Sequence, residues 1–192
     1  MTDEDIISGI ALTKIPGLGV IGIKNLLSVL GSASEIFNRR NELTSIVPGC
    51  TERLAKLLDC PEAFKKAEEE YFFMQKSGIK CFLINDPNYP SRLRECDDAP
   101  SVLFFKGNVD LNKLRVFSMI GTRNATEYGK EICNRFLGEI REMLPDVLIV
   151  SGLAYGIDIY AHRASLDNHL STVAVLAHGL DRIYPAAHRK TA

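Results

Sequence analysis

The chain has no tryptophan, no CxxC pair, no apolar run long enough to cross a bilayer, and almost no excess of either charge. Each absence excludes something. Its 23 basic residues against 24 acidic ones leave a formal charge of -1 and a pI near 6.4. That balance rules out a broadly basic nucleic-acid binder and a polyacidic tail, but not nucleic acid held by a few positioned groups. The five cysteines (Cys50, Cys60, Cys81, Cys96 and Cys133) follow no metal-ligand spacing. They read as reduced thiols of a cytoplasmic protein, with no metal and no cofactor expected. The N-terminal stretch MTDEDIISGIAL is acidic and its apolar run is short, unlike a signal peptide. Without a run of ~18 apolar residues, no membrane span is expected.

What is present is enough hydrophobic material for two compact units: 192 residues, 46% hydrophobic. Residues 1–78 read as an all-α domain. Ile6, Ile7, Ile10 and Ala11 recur at helical spacing, with acidic residues at Asp3 to Asp5 on the helix's positive end. Ile15-Pro16-Gly17-Leu18-Gly19 must break this helix, and Ile23, Leu26, Leu27 and Leu30 start a second apolar stripe. Helix, IPGLG, helix looks like a helix-hairpin-helix motif, whose amides at Gly17 and Gly19 would face a DNA phosphate. Only Lys14 and Lys24 flank it, and a plain interhelical turn is the alternative. Val47-Pro48-Gly49-Cys50-Thr51 is a weaker copy with threonine in place of the second glycine. A longer charged helix follows from Pro61, with Phe64, Ala67, Tyr71 and Met74 as its stripe, and stops at Gly78.

Residues 79–112 read as a proline-rich connector with two short strands, Ile79 to Ile84 and Val102 to Gly107, docking on the sheet that follows. Residues 113–192 alternate strand and helix: Leu114 to Ile120, Thr126 to Leu144 with Ile132, Phe136 and Ile140 inward, Val147 to Val150, Tyr155 to Leu166, and Thr172 to Leu176. The expected fold is α/β, a Rossmann-like parallel sheet covered by helices, preceded by the small helical domain.

Every strand of that pattern ends at a glycine. Parallel strands would gather the three loops at one sheet edge, where such sheets bind ligands. After the first stand Gly121, Thr122, Arg123 and Asn124; after the second, Ser151, Gly152 and Gly156, with Asp158 in the next helix's first turn. Glycine brings the backbone close to a ligand, Thr122 adds a hydroxyl, and Arg123 can clamp a phosphate bidentately. Asp158 is expected to cap amides and shape the loop. There is no GxGxxG after the first strand and no GxxxxGK[ST] anywhere, so neither a standard dinucleotide site nor a P-loop is supported. Ser151 lies outside any GxSxG, and His162, His169 and His178 have poor spacing for metal and read as structural. Tyr184 has two readings, a base stacked on it or local packing.

The ordered segments DPNYPSRLRECDDAPSVLFFKGN, MIGTRNATEYG, IVSGLAYGIDIYAHRASL and TVAVLAHGLDRIYP closely resemble the DNA-processing protein A family (DprA/Smf), from about Asn85 to the end. The resemblance implies a non-enzymatic Rossmann-like domain that binds single-stranded DNA, protects it, forms a homodimer and loads RecA recombinase in natural transformation. It places the phosphate grip at Gly121, Thr122 and Arg123, with Ser151, Gly152 and Gly156 lining the same pocket. It further implies strands beyond Ala192 that would carry more DNA contacts and the dimer surface. Two other readings stand beside it. One is a nucleotide-sensing module. The other is a nucleoside-monophosphate N-glycosidase, whose PGGxGTxxE loop does not occur here.

Overall fold

Thr2 opens the first helix, α1 (Asp3–Lys14): its hydroxyl accepts the Asp5 N–H, while Asp3, Glu4 and Asp5 set carboxylates on the positive end of the helix dipole. Residues 2–192 are described in the structure, a computed structural model. Ser34 donates to the Asp5 carboxylate at 2.6 Å and holds that carboxyl below its ordinary value. This ties α1 to α3 (Ala33–Asn38), which follows α2 (Val20–Leu30). A 3-10 turn at Arg40–Glu42, then α4 (Leu43–Ile46), α5 (Glu52–Leu57) and α6 (Pro61–Ser77), complete the helices of this part. Ile10, Ala11, Leu12, Ile36, Leu43 and Ala67 are fully or almost fully buried and make its core.

The two hairpins have one shape. Leu18 N–H reaches the Ile15 carbonyl at 3.2 Å, and Cys50 N–H reaches that of Val47 at 3.0 Å. Gly17 and Gly49 take φ of +84° and +77°, the left-handed region that excludes most side chains. They differ at the cap. Thr51 accepts the Leu54 N–H at 3.3 Å, whereas Gly19 caps α2 with no side chain and leaves its first-turn amides free of a side-chain partner. The two lysines beside the first hairpin are engaged elsewhere. Lys14 pairs with Glu70 on α6, and Lys24 Nζ donates to the Cys96 and Asp97 carbonyls at 2.9 and 3.0 Å.

The connector departs from expectation. Strands β1 (Lys80–Leu83) and β2 (Val102–Phe105) pair antiparallel with each other and pack on α1, with β1 also against α6. The first unit therefore runs to Asn108, not Gly78, and the second is Val109–Ala192. The physical reason is that β1 buries Cys81, Phe82 and Leu83, which need the helices for cover. Burial pushes the Cys81 thiol up to about 12. Between the strands, a turn and α7 (Ser91–Arg94) form an ordered loop. Tyr89 is fully buried, its hydroxyl donates to Pro100 O at 2.8 Å, and Arg94 Nε donates to Ile84 O at 2.7 Å.

The second unit is a parallel sheet in the order β3 (Val116–Ser118), β4 (Leu148–Ser151), β5 (Ser171–Ala174), with α8 (Glu127–Met143) and α9 (Ile157–Asp167) as crossovers. Leu137, Ile140, Val147, Ile149, Ala164 and Leu170 form its core. The α8 stripe is rotated from the expected one. Cys133, Leu137 and Ile140 are buried, while Phe136 lies at the margin against Phe117 with ring centroids 6.2 Å apart. The first strand is also shorter than expected. Leu114 and Ile120 fall outside it and are 82% and 80% exposed, because an edge strand has a neighbour on one side only.

Lys24→Ala removes two charge-assisted hydrogen bonds and is expected to destabilise the chain by about 1–2 kcal/mol, read by urea denaturation. An unchanged denaturation midpoint would mean that these two hydrogen bonds carry no net stability.

Candidate nucleic-acid interface

Parallel strands deliver the loops after β3, β4 and β5 to one edge, as the strand pattern implies. The first two loops are bound together backbone to backbone. Thr122 O accepts the Ile157 N–H at 3.1 Å, so one loop caps the helix that follows the other. Gly156 sits at φ +81°, and a Cβ there would lie 1.9 Å from Thr122 O and 2.7 Å from Arg123 Cα. A Cβ on Gly121 would lie 2.6 Å from the Ile157 side chain. These glycines are required for the two loops to touch each other, which is a different use from admitting a ligand.

Ser151 also changes role. It is 3% exposed, and its hydroxyl donates to Met119 O at 2.6 Å. Placed by the resemblance in the lining of the phosphate pocket, it uses that proton to tie β4 to the end of β3. Asp158 has no side-chain hydrogen bond among the described residues; its carboxylate fills the space where a Gly152 side chain would stand, with Oδ2 2.4 Å from that Cβ position. It shapes the loop by occupying volume.

The groups left facing outward are few. Gly121, Thr122, Arg123 and Asn124 are all exposed. Thr122 Oγ1 accepts the Asn124 N–H at 3.2 Å, which folds the loop into a tight turn and leaves the hydroxyl proton free. Arg123 has no ion-pair or hydrogen-bond partner among the described residues. Thr126 caps α8 by accepting the Gly129 N–H. Lys130, paired with Glu127 at 2.5 Å, and Arg163 lie 5.0 and 5.7 Å from the Tyr160 ring centroid where α8 meets α9. In the third loop Tyr184 is 70% exposed. No group of His, Cys, Asp or Glu suited to a metal occurs among the described residues.

The histidines carry information the sequence pattern did not. His162 is 3% exposed, its Nε2 against the Gly152 carbonyl and its Nδ1 2.7 Å from Thr172 Oγ1. Burial holds its pKa below the ordinary 6.5, against the opposing pulls of the Gly152 hydrogen bond and Asp158. His188, unremarked in the sequence, is also buried and sets Nδ1 2.7 Å from Leu153 O. Their signal was the inward position of residue 162 on α9; residue 188 gave none.

The family model for DNA recombination-mediator protein A matches residues 80–192, and the chain belongs to that family. Among its relatives, the DNA processing protein DprA of Streptococcus pneumoniae is 35% identical over 129 residues, covering 67% of this chain and 45% of that protein. The DNA processing protein DprA of Bacillus subtilis is 41% identical over 112 residues, 58% of this chain and 37% of the relative. The X-ray structure of DNA processing protein A from Streptococcus pneumoniae superposes with a TM-score of 0.64 at 28% identity, covering 99% of this chain and 62% of that one. The Rossmann-like α/β fold is thus shared. The chain spans less than half the length of the curated relatives it matches.

Gly156→Ala forces a Cβ into Thr122 and Arg123 at positive φ and is expected to cost about 2–4 kcal/mol, measured by chemical denaturation; a loss under 1 kcal/mol is not compatible with this packing. His162 makes a second prediction. Its folded pKa lies below the unfolded value, so as pH falls the unfolded chain takes up the proton first. The stabilisation is fully present above pH 6.5 and is lost as pH drops through the lowered folded value. Melting temperatures measured across this window should fall with pH, and His162→Gln should flatten that part of the profile.

Proposed function

We propose that the loop edge of the second unit binds the phosphates of single-stranded DNA, without catalysis, and that the protein serves DNA recombination by protecting the bound strand and loading RecA recombinase onto it. The observation that carries this reading is Arg123. It is an exposed guanidinium with no partner among the described residues, on a turn whose backbone is fixed by the Thr122–Ile157 hydrogen bond. A cation on a rigid turn loses little freedom on binding and can engage two phosphate oxygens at once. Thr122 supplies a hydroxyl proton beside it, and Asn124 an amide. Membership of a family described as recombination mediators supports the DNA assignment.

The reading extends to a homodimer acting in the cytoplasm, with no membrane partner. No helix among the described residues is long and apolar enough to cross a membrane. Tyr184 offers an exposed ring on which a base can stack. The first hairpin, with Gly17 and Gly19, is assigned no DNA contact, because Lys14 and Lys24 are both engaged and phosphate affinity follows free cations.

Arg123→Ala should weaken oligo-dT binding by about 1–3 kcal/mol, the value of a charge-assisted phosphate contact, and lower the salt slope by about one. Fluorescence anisotropy across a salt series reads both. Equal affinity and slope in a variant that melts normally would remove the phosphate reading.

A further inference from the structure

Two buried imidazoles grip consecutive carbonyls of the β4–α9 loop. His162, on α9, faces the Gly152 carbonyl with Nε2. His188, in a 3-10 turn at Ala186–His188, faces the Leu153 carbonyl with Nδ1 at 2.7 Å. A carbonyl oxygen only accepts, so each facing nitrogen carries a proton. Neutral His162 is therefore the Nε2–H tautomer, and its bare Nδ1 accepts from the Thr172 hydroxyl at 2.7 Å. Neutral His188 is the Nδ1–H tautomer, and Tyr155 packs edge-on against its ring with centroids 4.9 Å apart.

The consequence lies on the other side of each peptide plane. In a trans peptide the C=O and N–H point in opposite directions, and the one cis bond among the described residues is Tyr184–Pro185. Fixing the Gly152 and Leu153 carbonyls on the imidazoles therefore aims the Leu153 and Ala154 N–H groups away from them. Neither N–H has a partner among the described residues. Successive unpaired N–H groups in a strand-to-helix loop make an anion-accepting concavity.

We propose that His162 and His188 are positioning residues for this edge: they orient the two peptide planes so that the Leu153 and Ala154 amides receive a nucleic-acid phosphate. This rests on the reading of the edge as a phosphate site, and adds that part of the grip is uncharged and set by imidazoles that never touch the ligand.

Variants of the whole chain test it. His188→Asn keeps a side-chain N–H near the Nδ1 position, whereas His188→Leu removes it. Thr172→Val takes the hydroxyl from His162 while leaving the imidazole in place. Two readouts are needed: oligo-dT affinity by anisotropy, and the ring tautomers by nitrogen-detected NMR near neutral pH. The free protein should show His162 protonated on Nε2 and His188 on Nδ1. His188→Leu should weaken oligo-dT about 5- to 30-fold, the loss for misdirected hydrogen bonds to a charged group. His188→Asn should restore most of it, and Thr172→Val should fall between. Unchanged affinity in His188→Leu and Thr172→Val, while Arg123→Ala weakens binding, overturns the clamp and spares the functional reading. The opposite tautomers also overturn the clamp, whatever the affinities. If the unsubstituted chain binds no oligo-dT, the functional reading fails, and the phosphate role of the clamp fails with it.

Discussion

At Gly156 two loops meet with no side chain between them, and the arrangement of the second unit's edge depends on that approach. The Thr122 carbonyl caps α9, so the position of Arg123 is set by a helix that belongs to the other loop. Remove the close approach and the β3–α8 loop loses its only backbone anchor to the β4–α9 loop among the described residues. Ser151 reinforces the same junction from below by binding Met119 O. The result is one surface made of two loops, with the conformational cost of ordering it met during folding.

Much of this was legible in the sequence. The alternation of apolar runs with helical stripes gave the parallel sheet, and the glycine breaks marked the loops that gather at one of its edges. The proline–glycine signals gave both hairpins, whereas the cap that Thr51 forms on α5, where the pattern showed only a missing glycine, is a finding of the structure. What could not be read was which partner each group would choose. Ser151 and Thr122 are both hydroxyls beside a glycine; only tertiary position decides that one is buried on Met119 O and the other exposed. The α8 stripe admitted two registers, because Ile132, Cys133, Phe136 and Leu137 are all apolar, and packing selected Cys133 and Leu137. His188 lay in a turn-rich segment with no periodicity to show that it points inward. The allegiance of β1 and β2 depended on the shape of the α1 and α6 surfaces, which no local pattern encodes.

A chain with a formal charge of -1 has little long-range attraction for a polyanion. What the loop edge offers instead is short-range: the exposed Arg123 guanidinium, the Thr122 hydroxyl and backbone groups held in fixed directions. Such groups lose less to salt screening than a field of lysines, because backbone amides release no counterions. The buried thiols contribute nothing to this chemistry. Burial raises Cys81 and Cys133 above the ordinary thiol range, which keeps them protonated and poorly nucleophilic.

The match to the family model begins at residue 80, the first residue of β1, yet β1 is packed on α1 and α6 and Lys24 reaches across to Cys96 and Asp97. The inherited unit and the folding unit are therefore cut at different places. A fragment trimmed to the family match would carry β1 and β2 without the helices that cover Cys81, Phe82 and Leu83. It would present a bare apolar hairpin, open to pairing along its edges. Whatever evolutionary freedom the helical region has, it is bounded by the need to keep that hairpin dry.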